Sequence, residues 1–135
     1  MVTIADLLCR HSEPVHDLAL AWGAKASSYK AAIEAARRRG ARPILVELEM
    51  DIPEAAGDLI VDHHGERAGE ERSSLRQVFD ILNLPESEWS RELQLVAAND
   101  IGHVDAMLEI GATPEEIHSI RSADRRAQGI TAEQE

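Results

Sequence analysis

The feature that most constrains this chain is a short apolar run that ends in an acid and two histidines. Residues 59–65 read Leu-Ile-Val-Asp-His-His-Gly. An apolar run that closes on a turn residue is typical of a buried strand, and open α/β sheets bind ligands at the carboxyl ends of their strands. If extended geometry continues, Asp62 and His64 project to one face and His63 to the other. Carboxylate and neutral imidazole both bind divalent cations, so this strand end is a candidate metal site that needs partners from elsewhere in the chain.

The composition is that of one ordinary globular domain. The chain has 135 residues, of which 44% are hydrophobic and 29% charged, and we expect a single domain over residues 1–135 with a sizeable core. No stretch approaches the roughly 18 apolar residues of a membrane span, and the N-terminal pattern is unlike a signal peptide, so no membrane association is expected. Cys9 is the single cysteine, which excludes an intramolecular disulfide and favours a cytoplasmic location.

The charge limits the partners. A formal net charge of −11 argues against non-specific binding to duplex DNA, because that binding depends on neutralising many phosphates. A small phosphorylated ligand remains compatible with this charge, since divalent cations bound in an acidic site reverse the local field. We therefore expect a small phosphorylated substrate or a short single-stranded nucleic acid, and no duplex DNA.

The apolar pattern predicts an α/β fold with a parallel-type sheet flanked by helices and a helical C-terminal part. Residues 2–10 fit either a first strand or a short helix, because Thr3 and Asp6 resemble a capping box. Three further segments have the patterns of a helix and two strands: residues 18–39, residues 43–49 and residues 59–61. A strand, a helix and further strands in this order favour parallel βαβ-like connections.

The C-terminal half is predicted to be helical, with a break. Ser73 or Ser74 caps the first helix, and Thr113 opens the last one with a capping box. The sequence Asn-Asp-Ile-Gly at residues 99–102 interrupts the apolar periodicity. The predicted helices are residues 75–82, residues 85–97, residues 104–110 and residues 114–128.

Three motifs, in order along the chain, resemble those of the DHH phosphoesterase superfamily. Its first motif, His-x-x-Pro-Asp-x-Asp-Ala before a helix, is similar to residues 11–19, His-Ser-Glu-Pro-Val-His-Asp-Leu-Ala. Its third motif, Asp-His-His after an apolar strand, matches residues 62–64 in full. Its fourth, Ala-x-x-x-Asp-x-Gly after a helix, is similar to residues 97–102. The resemblance covers about residues 2–110 of this chain. The superfamily includes RecJ-like exonucleases, oligoribonucleases, cyclic-dinucleotide phosphodiesterases and manganese-dependent pyrophosphatases.

The resemblance implies a DHH-domain-like fold and a metal-dependent phosphohydrolase. Its substrate would be a nucleotide, a short oligonucleotide or a phosphoanhydride, cleaved by water that one or two Mn²⁺ or Mg²⁺ ions activate. The metal ligands that it implies are His11, Asp17, Glu47, His63 and Asp100. It also implies catalytic roles for His64, which would contact the substrate phosphate, and for Asp62, which would orient a neighbouring group.

The chain also departs from the family pattern. Val15 replaces the first aspartate of the first motif and cannot bind a metal, although His16 beside it is an alternative ligand. Glu47 stands where the second motif has an aspartate, at the end of the apolar run 44–46. Most family members carry a further substrate-binding domain after the fourth motif. We therefore expect a lone domain, a fragment or half of a split protein, with a partner domain or a homo-oligomer completing the site.

Two alternatives follow from these departures. A degenerate, non-catalytic domain that binds a nucleotide or a protein partner would account for Val15. Ordinary structural roles also remain open for individual residues. His11 fits a plain loop histidine, and His63 and His64 fit a polar strand end without a ligand. Asp100 fits the N-cap of the next short helix, and the arginines at residues 37–39 fit a solvated helix end.

Overall fold

The computed structural model describes residues 2–18, 23–64 and 70–129. Within these ranges, five α-helices and a two-stranded parallel sheet form an α/β fold, so the coarse fold prediction is confirmed. The elements are α1 (Val2–Arg10), α2 (Lys30–Arg38), β1 (Ile44–Val46), β2 (Leu59–Val61), α3 (Ser74–Ile81), α4 (Arg91–Glu109) and α5 (Pro114–Ala127). Two short 3-10 helices, Ala26–Tyr29 and Glu86–Glu88, precede α2 and α4.

Residues 2–10 form a helix, which decides between the two alternatives left by the sequence. Ile4, Leu7 and Leu8 recur at helical spacing and form one buried face. This face packs into the main core beside α3. The sheet therefore lacks a strand from residues 2–10, and the first-motif residues follow a helix rather than a strand.

The helix predicted over residues 18–39 is shorter in the structure. Residues 19–22 lie outside the described residues. Helix α2 begins at Lys30, directly after the 3-10 helix Ala26–Tyr29. The reason is a long-range pairing: the Ala26 N–H donates to the Glu49 carbonyl over 2.9 Å, and the Glu49 N–H donates to the Ala24 carbonyl over 2.8 Å. Backbone groups used in this sheet-like pairing are not available for helical hydrogen bonds.

The two strands are parallel and in register, with Ile44 opposite Leu59 and Val46 opposite Val61. The strand predicted at residues 59–61 is confirmed. Because β1 and β2 end level with each other, the residues that follow them lie side by side at one edge of the sheet.

The sheet separates two apolar clusters. Leu45 packs with Ala26 and Ile33 on one side, while its neighbours in β1 contact the main core on the other. The main core is built from α1, β2, α3 and α4, and its buried residues are Ile4, Leu7, Leu8, Val61, Leu75, Val78, Phe79 and Leu93. A third cluster joins α4 to α5 around Met107.

The C-terminal helices follow the predicted order with two differences. The helix predicted from residue 85 begins as a 3-10 helix, and α4 starts at Arg91. The predicted break is a kink within α4, where Gly102 and His103 have non-helical backbone angles. The capping box at Thr113 and Glu116 is confirmed at the start of α5. No helix among the described residues has both the length and the apolar character needed to cross a bilayer.

Candidate metal centre

Four side chains that could bind a metal ion meet at the carboxyl edge of the sheet. Glu47 follows β1, and Asp62, His63 and His64 follow β2. One ligand atom from each of these residues lies within 4.8 Å of the others, and this is the one such set among the described residues. The parallel register explains the meeting, because both strands deliver their next residues to the same edge.

Glu47 reaches the cluster through an unusual backbone conformation. Its φ is 54°, a region that non-glycine residues rarely occupy and that costs about 1–3 kcal/mol when the surrounding structure imposes it. The Glu47 N–H still donates to the Val61 carbonyl over 2.8 Å, so the chain turns directly after its last contact with β2. This turn ends β1 at Val46, three residues earlier than the predicted strand 43–49.

Asp62 organises the turn after β2. Its Oδ1 accepts hydrogen bonds from the backbone N–H of His63 over 2.7 Å and of His64 over 3.0 Å. The same oxygen lies 3.0 Å from His64 Nδ1. Because an ionised carboxylate can only accept, this contact assigns a proton to Nδ1 and leaves the lone pair of a neutral His64 ring on Nε2.

His63 is the most buried ring of the cluster, with 10% of its side chain exposed. Its Nδ1 lies 3.3 Å from Ser74 Oγ and 3.8 Å from Glu47 Oε1. Its Nε2 is buried and has no hydrogen-bond partner among the described residues. A buried polar atom without a partner costs about 1–3 kcal/mol, so this nitrogen is suited to an exogenous ligand.

The residues present fit a divalent cation. Two carboxylates and two imidazoles form a hard-to-borderline donor set that suits Mn²⁺, and Mg²⁺ less well, and the set contains no thiolate. Oxygen and nitrogen ligands at about 2.0–2.4 Å from one ion lie about 3–4.5 Å from one another. The separations of up to 4.8 Å in this cluster therefore require only a small closure around an ion. The unpartnered nitrogen of His63 is a further sign of fit.

Asp100 lies near the cluster but outside this set. It is an exposed residue of α4, two positions before the kink. Desolvation raises the pKa of Asp100 to about 6, and the carboxylates of Glu47 and Asp124 also raise it, while His63 lowers it. Because Asp100 is exposed on α4, solvent screens its interaction with Glu47 and His63, and its influence on the cluster is weak.

His11 and Asp17 are not brought into the set either. His11 lies just after α1, with its Nε2 3.7 Å from the Glu88 carboxylate. Asp17 lies in an exposed segment, as does Val15, which is 38% exposed. Of the seven residues that the sequence singled out, the structure thus gathers Glu47 and the Asp-His-His residues.

Two residues that no sequence motif singles out also contact the cluster. Ser74 is 1% exposed and donates from Oγ to Glu47 Oε1 over 2.9 Å. Gln77 is 6% exposed, and its Nε2 donates to the Asp62 carbonyl over 2.9 Å. The sequence offers one signal, a second serine directly after the helix-capping Ser73, which helix capping alone does not require.

Comparison with known proteins adds no relative. Neither a protein-family model, nor a curated protein, nor a solved structure matches this chain.

Proposed function

We propose that this chain is a metal-dependent phosphohydrolase of the DHH phosphoesterase type. Its substrate is a nucleotide, a short oligonucleotide or a phosphoanhydride, and its cofactor is Mn²⁺ or Mg²⁺. The single observation that supports this function best is the set of four ligand atoms within 4.8 Å at the ends of two parallel strands. Parallel sheets place catalytic groups at this edge.

Each residue of the cluster has a proposed role. Glu47 and His63, which follow different strands and are 20% and 10% exposed at their side chains, would hold the ion. Lewis-acid polarisation of the phosphoryl group and activation of water would be the chemistry supplied by an ion bound there. Asp62 holds the turn and orients His64 through the contact to Nδ1.

His64 is the proposed contact for the substrate phosphate. Its side chain is 42% exposed, so an anion can approach it from solvent. A proton on its Nε2 would let the ring donate to a phosphate oxygen, while the contact between Nδ1 and Asp62 Oδ1 holds the ring in place. Asp62 and His64 therefore act as a pair in this proposal.

The proposal includes completion of the site by another protein surface. His11 and Asp17, the first-motif residues, lie outside the four-residue set, so the described residues gather ligands for one ion. A second ion and a closed substrate pocket would come from a partner domain or a second copy of the chain. A reducing cytoplasm is the proposed location, which agrees with an exposed, free Cys9.

A second candidate function is a degenerate domain that binds a nucleotide or a protein partner without catalysis. Val15 replaces a metal-binding aspartate of the motif, and His11 contacts Glu88 instead of the cluster. Both observations favour binding without turnover. The two candidates share the metal site and differ in whether bound substrate is cleaved.

The deciding experiment is a calorimetric Mn²⁺ titration followed by hydrolysis assays. Assays with a generic phosphodiester, a dinucleotide and pyrophosphate cover the proposed substrates. We expect Mn²⁺ binding and Mn²⁺-dependent cleavage by the parent, and loss of both in His63→Ala. The matched control is His118→Ala, because His118 is an exposed histidine of α5 outside the cluster. Binding of a phosphorylated ligand without cleavage would support the second candidate, and unchanged behaviour of His63→Ala would contradict both.

A further inference from the structure

We propose that Ser74 is a positioning residue that places a proton on Nδ1 of His63 and thereby leaves the lone pair of Nε2 for the metal ion. This inference rests on the proposed function, because it assigns the atom through which His63 acts at that site. It begins from a hydrogen-bonded chain of three side chains: His63, Ser74 and Glu47.

The donor and acceptor roles in this hydrogen-bonded chain follow from the number of protons available. Ser74 Oγ has one proton, which it donates to Glu47 Oε1 over 2.9 Å. The same Oγ lies 3.3 Å from His63 Nδ1. With its proton committed to the carboxylate, Oγ can only accept from the ring, so Nδ1 is the protonated nitrogen. The Glu47 oxygen 3.8 Å from Nδ1 favours the same arrangement by its charge.

The second ring nitrogen then becomes the ligand atom. A neutral imidazole with a proton on Nδ1 has its lone pair on Nε2. In His63 this Nε2 is buried and has no partner among the described residues. Metal-binding histidines commonly hold their other ring nitrogen in a hydrogen bond that fixes both tautomer and ring orientation. Ser74 occupies that place for His63.

The fold holds Ser74 rigidly enough for this role. Ser74 is the first residue of α3 and is 1% exposed. The helix start itself is fixed by the preceding residue, since Ser73 Oγ accepts from the Arg76 N–H over 3.1 Å. The capping function thus belongs to Ser73, and the hydroxyl of Ser74 is left for the cluster.

The two serines provide a matched pair of variants. Ser73→Ala and Ser74→Ala each remove one hydroxyl from a side chain that is 1% exposed. Ser73→Ala weakens the cap of α3 and leaves the His63–Ser74–Glu47 chain intact. Ser74→Ala breaks that chain and leaves the cap intact. A purely structural role for Ser74 would make the two variants alike in every property of the site.

The test is a long-range ¹H–¹⁵N correlation spectrum of the metal-free protein, recorded at about pH 8.5, where an ordinary imidazole is neutral. We expect His63 of the parent and of Ser73→Ala to carry its proton on Nδ1. In Ser74→Ala the two tautomers should mix, and Ser74→Thr should restore the parent spectrum. A proton on Nε2 of His63 in the parent would overturn the proposal without any variant.

Calorimetry with Mn²⁺ provides the second readout. Loss of a group that orients a metal ligand typically weakens binding about 10- to 100-fold, and we expect this for Ser74→Ala but not for Ser73→Ala. Equal losses in both variants would contradict the positioning role. A parent that binds no Mn²⁺ would contradict the proposed function, while the spectrum of the metal-free protein still decides the role of Ser74.

Discussion

Two aspartates flank strand β2, and the fold uses them in opposite ways. Asp58 precedes the strand, is 8% exposed, and accepts hydrogen bonds from Arg37 Nε over 3.2 Å and from the Ala55 N–H over 3.0 Å. Asp62 follows the strand and lies among histidines and Glu47, beside a buried nitrogen that has no partner among the described residues. The first carboxylate is neutralised within the chain, whereas the second belongs to a set that an exogenous cation would complete.

Under the proposed function, the first end of β2 serves stability and the other end serves metal binding. The side-chain hydrogen bond from Arg37, with its positive charge, holds the pKa of Asp58 below its usual range. A charge pair closed in this way has no capacity left for a ligand. At the other end, four potential ligand atoms lie within 4.8 Å of one another, an arrangement that suits binding of a cation.

The largest expected effect concerns the cluster at the carboxyl end of β2. Glu47→Gln keeps the shape of the side chain and an oxygen that can accept from Ser74, but it removes the negative charge. We expect Mn²⁺ affinity to fall more than about 100-fold, beyond the loss typical of outer-shell changes, with the circular dichroism spectrum unchanged. Asp58→Asn is the matched control and should bind Mn²⁺ as the parent does. Equal losses in the two variants would erase the distinction between the two ends of β2.

The next largest effect concerns the Asp58–Arg37 pair at the start of β2. Asp58→Ala leaves Arg37 without its partner and removes the acceptor of the Ala55 N–H, which should lower the free energy of unfolding by about 1–3 kcal/mol. Urea denaturation measures the change. Asp105→Ala, at an exposed position of α4, should shift the midpoint much less. An unchanged free energy of unfolding in Asp58→Ala would mean that the buried pair makes no net contribution to stability.

A third prediction concerns acid. Because folding lowers the pKa of Asp58, its carboxylate stabilises the fold above the ordinary carboxyl pKa of about 3.9, and this contribution is lost as the pH falls through the lowered value. Asp58→Asn should therefore show a flatter loss of stability below about pH 4 than the parent. Thermal melting across this range measures it, and identical slopes for parent and variant would contradict the role of the pair.

The smallest expected effect tests whether Asp100 belongs to the cluster at the carboxyl end of β2. Asp100 is exposed and lies outside the four-residue set, so loss of its screened charge in Asp100→Asn should weaken Mn²⁺ binding only about 2- to 5-fold, and less at high salt. Calorimetry at two ionic strengths measures this. A loss near that of Glu47→Gln would instead place Asp100 among the ligands, as the resemblance to the DHH family implies.

Much of the fold was predictable because it depends on local signals. The capping box at Thr113, the apolar strand at residues 59–61 and the interruption at residues 99–102 are each written in a few adjacent residues. The start of α2 was not predictable in this way. It depends on backbone pairing of Ala24 and Ala26 with Glu49, and helix propensity carries no information about a partner more than twenty residues away.

The candidate site likewise has one part that adjacent residues predict and one part that long-range contacts decide. By itself the sequence determined that an acid and two histidines follow a buried strand, since the apolar run and the turn residues are contiguous. Tertiary structure alone decided which other residues join them. The parallel register and the positive φ of Glu47 bring that carboxylate to the histidines, and the packing of α3 brings Ser74. His11 and Asp17 are not part of the four-residue set, and the segment before them folds as a helix against the core.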